Sequence, residues 1–137
     1  MIVRCLFNEG SSLPESCLDP AAGITSGVVF PLTVGSFYVV HAITVFRGHT
    51  WYYVLDDNEL PYPVWKLAEL FDVSDGSLPS WWVTAYVRVG LGVEGYPVLS
   101  FPEWALDRFF YERLVDGDPT ACSVFESRRI ETEQPSS

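Results

Sequence analysis

Residues 37–55, FYVVHAITVFRGHTWYYVL, are two apolar, aromatic runs divided by a polar centre, and this pattern predicts two long strands joined by a tight turn at Arg47-Gly48-His49-Thr50. In the first strand Phe37, Val39, His41, Ile43 and Val45 fall on one face, and Tyr38, Val40, Ala42, Thr44 and Phe46 on the other. Both faces are mostly apolar, so the strand is expected to be covered on both sides or curled into a small barrel. Gly48 suits a turn position with φ > 0. Residues 1–7 alternate and predict a first strand. Residues 8–35 are punctuated by Gly and Pro, and they read as a long ordered connection because both flanks are core-like. Asp56-Asp57-Asn58-Glu59 ends the returning strand, since Asp and Asn bond to nearby backbone.

Pro61-Tyr62-Pro63 must be extended. Residues 64–73 predict a strand bent near Ala68, with a helical turn over 67–71 as the alternative. Residues 74–77 form a turn, and 81–89 read as a further strand ending at Gly90. Ser100 then stands where an N-cap should, and Glu103 three residues later completes a capping box. Leu99 and Trp104 occupy the staple positions, and Pro102 is tolerated in the first turn. The expected helix covers about 100–116, with Gly117 as its stop and Pro119 beyond. Leu106, Phe109, Phe110 and Leu114 would be its core-facing stripe. Residues 121–125 read as a last short strand and 127–137 as a polar, frayed, flexible tail, leaving 1–126 as a single globular domain.

Composition changes this picture in one respect. Apolar residues at 48% exclude a disordered chain, and no run approaches the roughly 18 apolar residues that span a bilayer. The N-terminal stretch MIVRCLFNEGSS carries one Arg and a short apolar segment and does not read as a signal peptide, so a cytoplasmic location is expected. The net charge of −10 counts against direct nucleic-acid binding, which draws on Lys and Arg at phosphates. The excess acid serves solubility, or forms an acidic face for a basic partner or a mimic of nucleic acid.

Candidate chemistry is thin. Cys5, Cys17 and Cys122 have no CxxC spacing and read as free thiols, and His41 and His49 are too few to complete a zinc site on a familiar spacing. Nucleotide-binding, metalloprotease and hydrolase signatures are missing. His41 reads as a core histidine and His49 as an exposed turn residue. Asp56, Asp57 and Glu59 lack the spacing of a calcium loop. Adjacent Trp81 and Trp82 would point to opposite faces of a strand, so one of them should leave the core.

Residues 36–88, with FYVVHAITVFRGHTWYYVLDD, YPVWKLAELFDVSDG and the element Ser80-Trp81-Trp82-Val83, resemble the small bacterial SH3-like barrel domains of the uncharacterised and polymorphic-toxin immunity-protein type. The expected fold class is therefore α+β: a small, strongly bent antiparallel β-sheet or SH3-like barrel with one C-terminal α-helix, about 100–116, packed on it. The resemblance carries no functional residue to this chain. The expected function is a non-enzymatic interaction protein, an immunity- or inhibitor-type binder of a basic protein partner. Its candidate contacts are His49, Trp51, Tyr53, Asp56, Asp57, Glu59 and Trp82, for Trp and Tyr anchor interfaces at low entropy cost. No catalytic residue, metal or cofactor is expected, neither a membrane nor direct nucleic acid is an expected partner, and homo-oligomers stay open. The alternatives are a small-ligand binder or orphan enzyme using a histidine and acids at a barrel mouth, and an SH3-like peptide-binding module.

Overall fold

The computed structural model describes residues 1–89 and 94–133. It is an α+β fold of two antiparallel sheets followed by helices. Strands β1 (Ile2–Cys5), β2 (Phe37–Val39) and β6 (Phe71–Asp75) form a three-stranded sheet in the order β2-β1-β6. A five-stranded sheet follows the order β5-β4-β3-β8-β7, built from β3 (Ala42–Phe46), β4 (His49–Val54), β5 (Val64–Leu67), β7 (Val83–Arg88) and β8 (Gly95–Ser100). Of the two expected forms, the bent sheet is the one seen; no closed barrel forms among the described residues.

Two strand pairs carry the chain directly from one sheet to the other. The long strand expected from Phe37 to Phe46 bends at Val40 and His41 into β2 and β3, one in each sheet. One face, Tyr38, Val40, Ala42 and Thr44, stays buried through both halves, His41 joins it at the bend, and on the other face Phe37 and Val45 are exposed although apolar. Residues 64–75 repeat the device, with a 3-10 turn at Ala68–Leu70 between β5 and β6. Strands that switch sheets at such bends make the corners of packed sheets. The hairpin β3–β4 closes at the Phe46–His49 pair, so only Arg47 and Gly48 form the turn, both with positive φ (52° and 77°). That is the primed turn whose twist suits a two-residue hairpin.

The helical region departs from expectation. Ser100 does not cap a helix: it ends β8, is fully buried, and its hydroxyl donates to the His41 carbonyl oxygen at 2.7 Å. The segment expected as one helix over 100–116 is two short ones, α1 (Pro102–Ala105) and α2 (Phe110–Val115). Between them the Asp107 carboxylate accepts the Phe109 N–H and holds a turn. Phe110 and Leu114 are buried as expected, whereas Leu106 and Phe109 are exposed. Gly117, at φ 82°, does stop α2. The main helix comes next, α3 (Pro119–Glu133), where a strand over 121–125 and a tail from 127 were expected. Asp118 accepts the Ala121 N–H as its N-cap, and Pro119 occupies the first helical position, where no N–H is needed.

Helix α3 buries Ala121 and Phe125, the latter edge-on to the His41 ring with centroids 5.4 Å apart. Arg128 locks it to α1 through two 3.0 Å bonds to Glu103 and lies over the Trp81 ring. Trp81 and Trp82 precede β7 instead of belonging to it; Trp82 is buried and Trp81 partly so. The expected strand end at Gly90 and the tail residues 134–137 lie outside the described residues.

Candidate functional site

One face of the five-stranded sheet is paved with rings. Cross-strand neighbours share a face, so the pairings Ala42–Tyr53–Trp65, Thr44–Trp51–Leu67 and Val87–Tyr96 put all these side chains on the same side, with Phe46 beyond Thr44. Trp51 and Trp65 stack at 4.2 Å, and Phe46 stands between Trp65 (5.7 Å) and Tyr96 (5.9 Å). Thr44, Phe46, Tyr53, Trp65 and Tyr96 surround a depression of about 180 Å³. It shares Thr44, Tyr53 and Tyr96 with a second hollow that reaches Trp104, Asp107, Arg108 and Tyr111. It shares Phe46 and Trp65 with a third, of about 160 Å³, that reaches Cys17 and His49. The three make one aromatic trough across the sheet. Its far end is closely packed: Trp104 and Tyr111 stack nearly parallel, both meet Tyr53 edge-on, and the Tyr111 hydroxyl donates to the Pro63 carbonyl. Burial pushes the Tyr53 phenol well above its ordinary range and that of Tyr111 up to about 12, so both act as neutral walls.

The near end carries the only cluster of mixed ligating groups among the described residues. His49 opens β4, Cys17 closes a 3-10 turn of the long connection, and Glu69 sits in the bend between β5 and β6. The His49 Nε2 lies 3.1 Å from the Ser16 carbonyl oxygen, a contact that requires an N–H. In the neutral ring, Nδ1 therefore keeps its lone pair, and it faces Cys17 Sγ at 3.8 Å and Glu69 Oε1 at 3.6 Å. The three donor atoms all lie within 4.8 Å of one another. Burial raises the Cys17 thiol pKa, and the Glu69 charge adds to the effect.

This is not a nucleophile–histidine–acid relay. In such a triad the nucleophile and the acid engage opposite ring nitrogens, so that the ring can pass a proton between them. Here thiol and carboxylate share Nδ1, and Nε2 is committed to a carbonyl. His41 offers no alternative base: it is buried against Phe125, and burial, with the Arg129 charge and the N-terminal amine, lowers its pKa to about 4.

The residues singled out from the sequence fall in several places. His49 is half-buried in the cluster, not an exposed turn residue. Trp51 and Tyr53 lie in the trough, Trp51 buried and donating its indole N–H to the Phe46 carbonyl. Asp56 is buried against Lys66 at 3.0 Å. Asp57 accepts the Thr33 and Tyr38 hydroxyls, at 2.6 and 2.8 Å. Trp82 is buried, away from the trough linings, with its indole N–H unpartnered among the described residues. Glu59 is exposed. Cys17, Glu69, Phe46, Trp65 and Tyr96 were not anticipated as a group; Cys17 and His49 are 32 residues apart, and no local spacing joins them. The chain matches no known protein family, no curated protein and no solved structure.

Proposed function

We propose that the protein is a non-enzymatic binder of a basic protein partner, which docks by placing a Lys or Arg side chain in the aromatic depression of the trough. The observation that carries this reading is the pocket of Phe46, Tyr53, Trp65 and Tyr96 on a chain of net charge −10. Rings attract a cation through their negative faces, the more so where water is displaced. The fold already uses this contact, with Arg47 lying over the Phe46 ring at 5.4 Å. Five of the eight bases, Arg47, Lys66, Arg113, Arg128 and Arg129, are held in internal ion pairs, so the acidic surplus remains to attract an incoming cation. Glu9, Glu15, Glu59, Glu94 and Glu112 are among its exposed members. An inhibitor- or immunity-type protein, which occupies a basic enzyme without doing chemistry on it, is the form of binder that this charge suits.

The test is a titration with an oligo-arginine peptide, read by tryptophan fluorescence, with an oligo-glutamate peptide as control. Saturable binding at one peptide per chain, weakened by Trp65→Ala and by Phe46→Ala, is the expected result. Binding that fails to saturate, or that ignores both substitutions, would remove the trough from the mechanism.

A further inference from the structure

We propose that Cys17, His49 and Glu69 form a binding site for one zinc-class divalent cation, with the fourth coordination position open to the aromatic trough. The inference stands on different residues from the basic-partner reading and does not depend on it.

Geometry is the first argument. Tetrahedral zinc with one sulfur, one nitrogen and one oxygen ligand separates its donor atoms by about 3.4–3.6 Å, given bond lengths of about 2.0–2.3 Å. The observed separations of 3.8 Å (Sγ to Nδ1) and 3.6 Å (Oε1 to Nδ1) are close to these, and the Sγ–Oε1 pair, within 4.8 Å, closes by a side-chain adjustment of Glu69. Orientation is the second. A metal-bound histidine donates its other ring N–H to a carbonyl or carboxylate, which fixes the tautomer and aims the free lone pair. The Ser16 carbonyl does this for His49 at 3.1 Å, and Ser16 is the neighbour of the ligand Cys17. The third argument is electrostatic. A divalent cation would take the place of the Cys17 thiol proton and neutralise the Glu69 carboxylate, and Arg47 does not compete for that carboxylate, being paired with Asp19 at 2.7 Å.

The donor set selects the metal. Thiolate and imidazole are poor ligands for magnesium or calcium and good ones for zinc and its transition-metal neighbours. Three protein ligands are one short of a closed structural site. Cys17 and His49 also line the hollow of about 160 Å³ shared with Trp51 and Trp65, which has room for a water or a ligand atom on the open position. The three ligands come from the long connection, β4 and the bend between the sheets, so the cation would tie the connection to the core.

Cobalt reports directly on a bound thiolate. Reduced, chelator-treated full-length protein is titrated with Co²⁺ and then with Zn²⁺. One cobalt per chain, a thiolate-to-cobalt charge-transfer band, tetrahedral visible bands and displacement by one zinc are expected. Cys17→Ser removes the charge-transfer band, Cys122→Ser keeps it, and His49→Gln and Glu69→Gln each weaken zinc binding by at least about 10-fold. A readout without substitution guards against misfolded variants: zinc slows alkylation of Cys17 in the native protein, followed by mass spectrometry, and leaves Cys122 unprotected. Absence of the band in the native protein, its survival in Cys17→Ser, its loss in Cys122→Ser, or alkylation of Cys17 indifferent to zinc would each overturn the assignment.

Discussion

Asp56 and its neighbour Asp57 show how residues that look like surface charge become part of the frame. The Asp56 side chain is 2% exposed and that of Lys66 9%, at 3.0 Å, and Asp56 also takes the Asn58 N–H at 3.0 Å. For such a pair, Coulomb attraction roughly offsets the cost of leaving water, so its net worth is small. Removing one member is another matter, because the survivor is left buried and uncompensated. Asp56→Ala is expected to lower the unfolding free energy by about 3–5 kcal/mol, measured by urea denaturation, while Asp56→Leu combined with Lys66→Met recovers most of that loss. A single-variant loss below about 1 kcal/mol would mean that water reaches the pair. Asp57 plays a parallel part, tying Thr33 in the long connection to Tyr38 in β2. An acidic face built from the 56–59 run is thus reduced to the outward edge of Asp57 and to Glu59.

At the scale of elements, the long connection is a platform more than a link. Its 3-10 turns at Gly10–Ser12, Glu15–Cys17 and Pro20–Ala22 are held by their own backbone bonds, and the Arg47–Asp19 ion pair and the His49–Ser16 contact fasten it to the hairpin. Gly10 is its tightest point. A Cβ there would stand 1.8 Å from the Thr25 carbonyl oxygen, while the Gly10 N–H donates to Val28 at 2.8 Å. Gly10→Ala must push these strands of the connection apart, at a cost of about 1–3 kcal/mol, and should displace Cys17 enough to weaken cobalt uptake. An unchanged melting temperature would show that the connection can shift freely. Which elements could be read from the chain follows from where their stability arises. The 64–73 segment mixes periods yet bends near Ala68 as expected, and β1 and the hairpin strands carry their own pattern, although the first hairpin strand breaks at Val40 and His41. Strand β8 does not: Gly95-Tyr96-Pro97 shows no period-two pattern, and it is a strand because β3 and β7 flank it, with the Pro97 carbonyl bonded to the Thr44 hydroxyl. Ser100 and Glu103 had the right spacing for a cap, but a buried carbonyl on His41 took the hydroxyl, and Arg128 took the Glu103 carboxylate. The Cys17–His49–Glu69 cluster is written in no segment at all, because it exists only where a 3-10 turn of the connection, the first residue of β4 and the bend between the sheets converge.

At the scale of the whole molecule, charge and shape should act on different steps of binding. The net charge of −10 is spread over many exposed carboxylates, so it draws a basic partner from a distance but fixes no geometry. The rings of the trough act only on contact, within about 6 Å of a cation. Association of an oligo-arginine peptide should therefore slow about 10-fold or more between low and physiological salt, while its dissociation rate changes little. Trp65→Ala should do the reverse, leaving association nearly untouched and speeding dissociation roughly 2- to 30-fold, the range that one cation–π contact spans. Stopped-flow measurements on the native chain and on Trp65→Ala at two salt concentrations separate the two effects. If Trp65→Ala lowered only the association rate, the trough would be a consequence of core packing between the sheets, and charge alone would hold the partner.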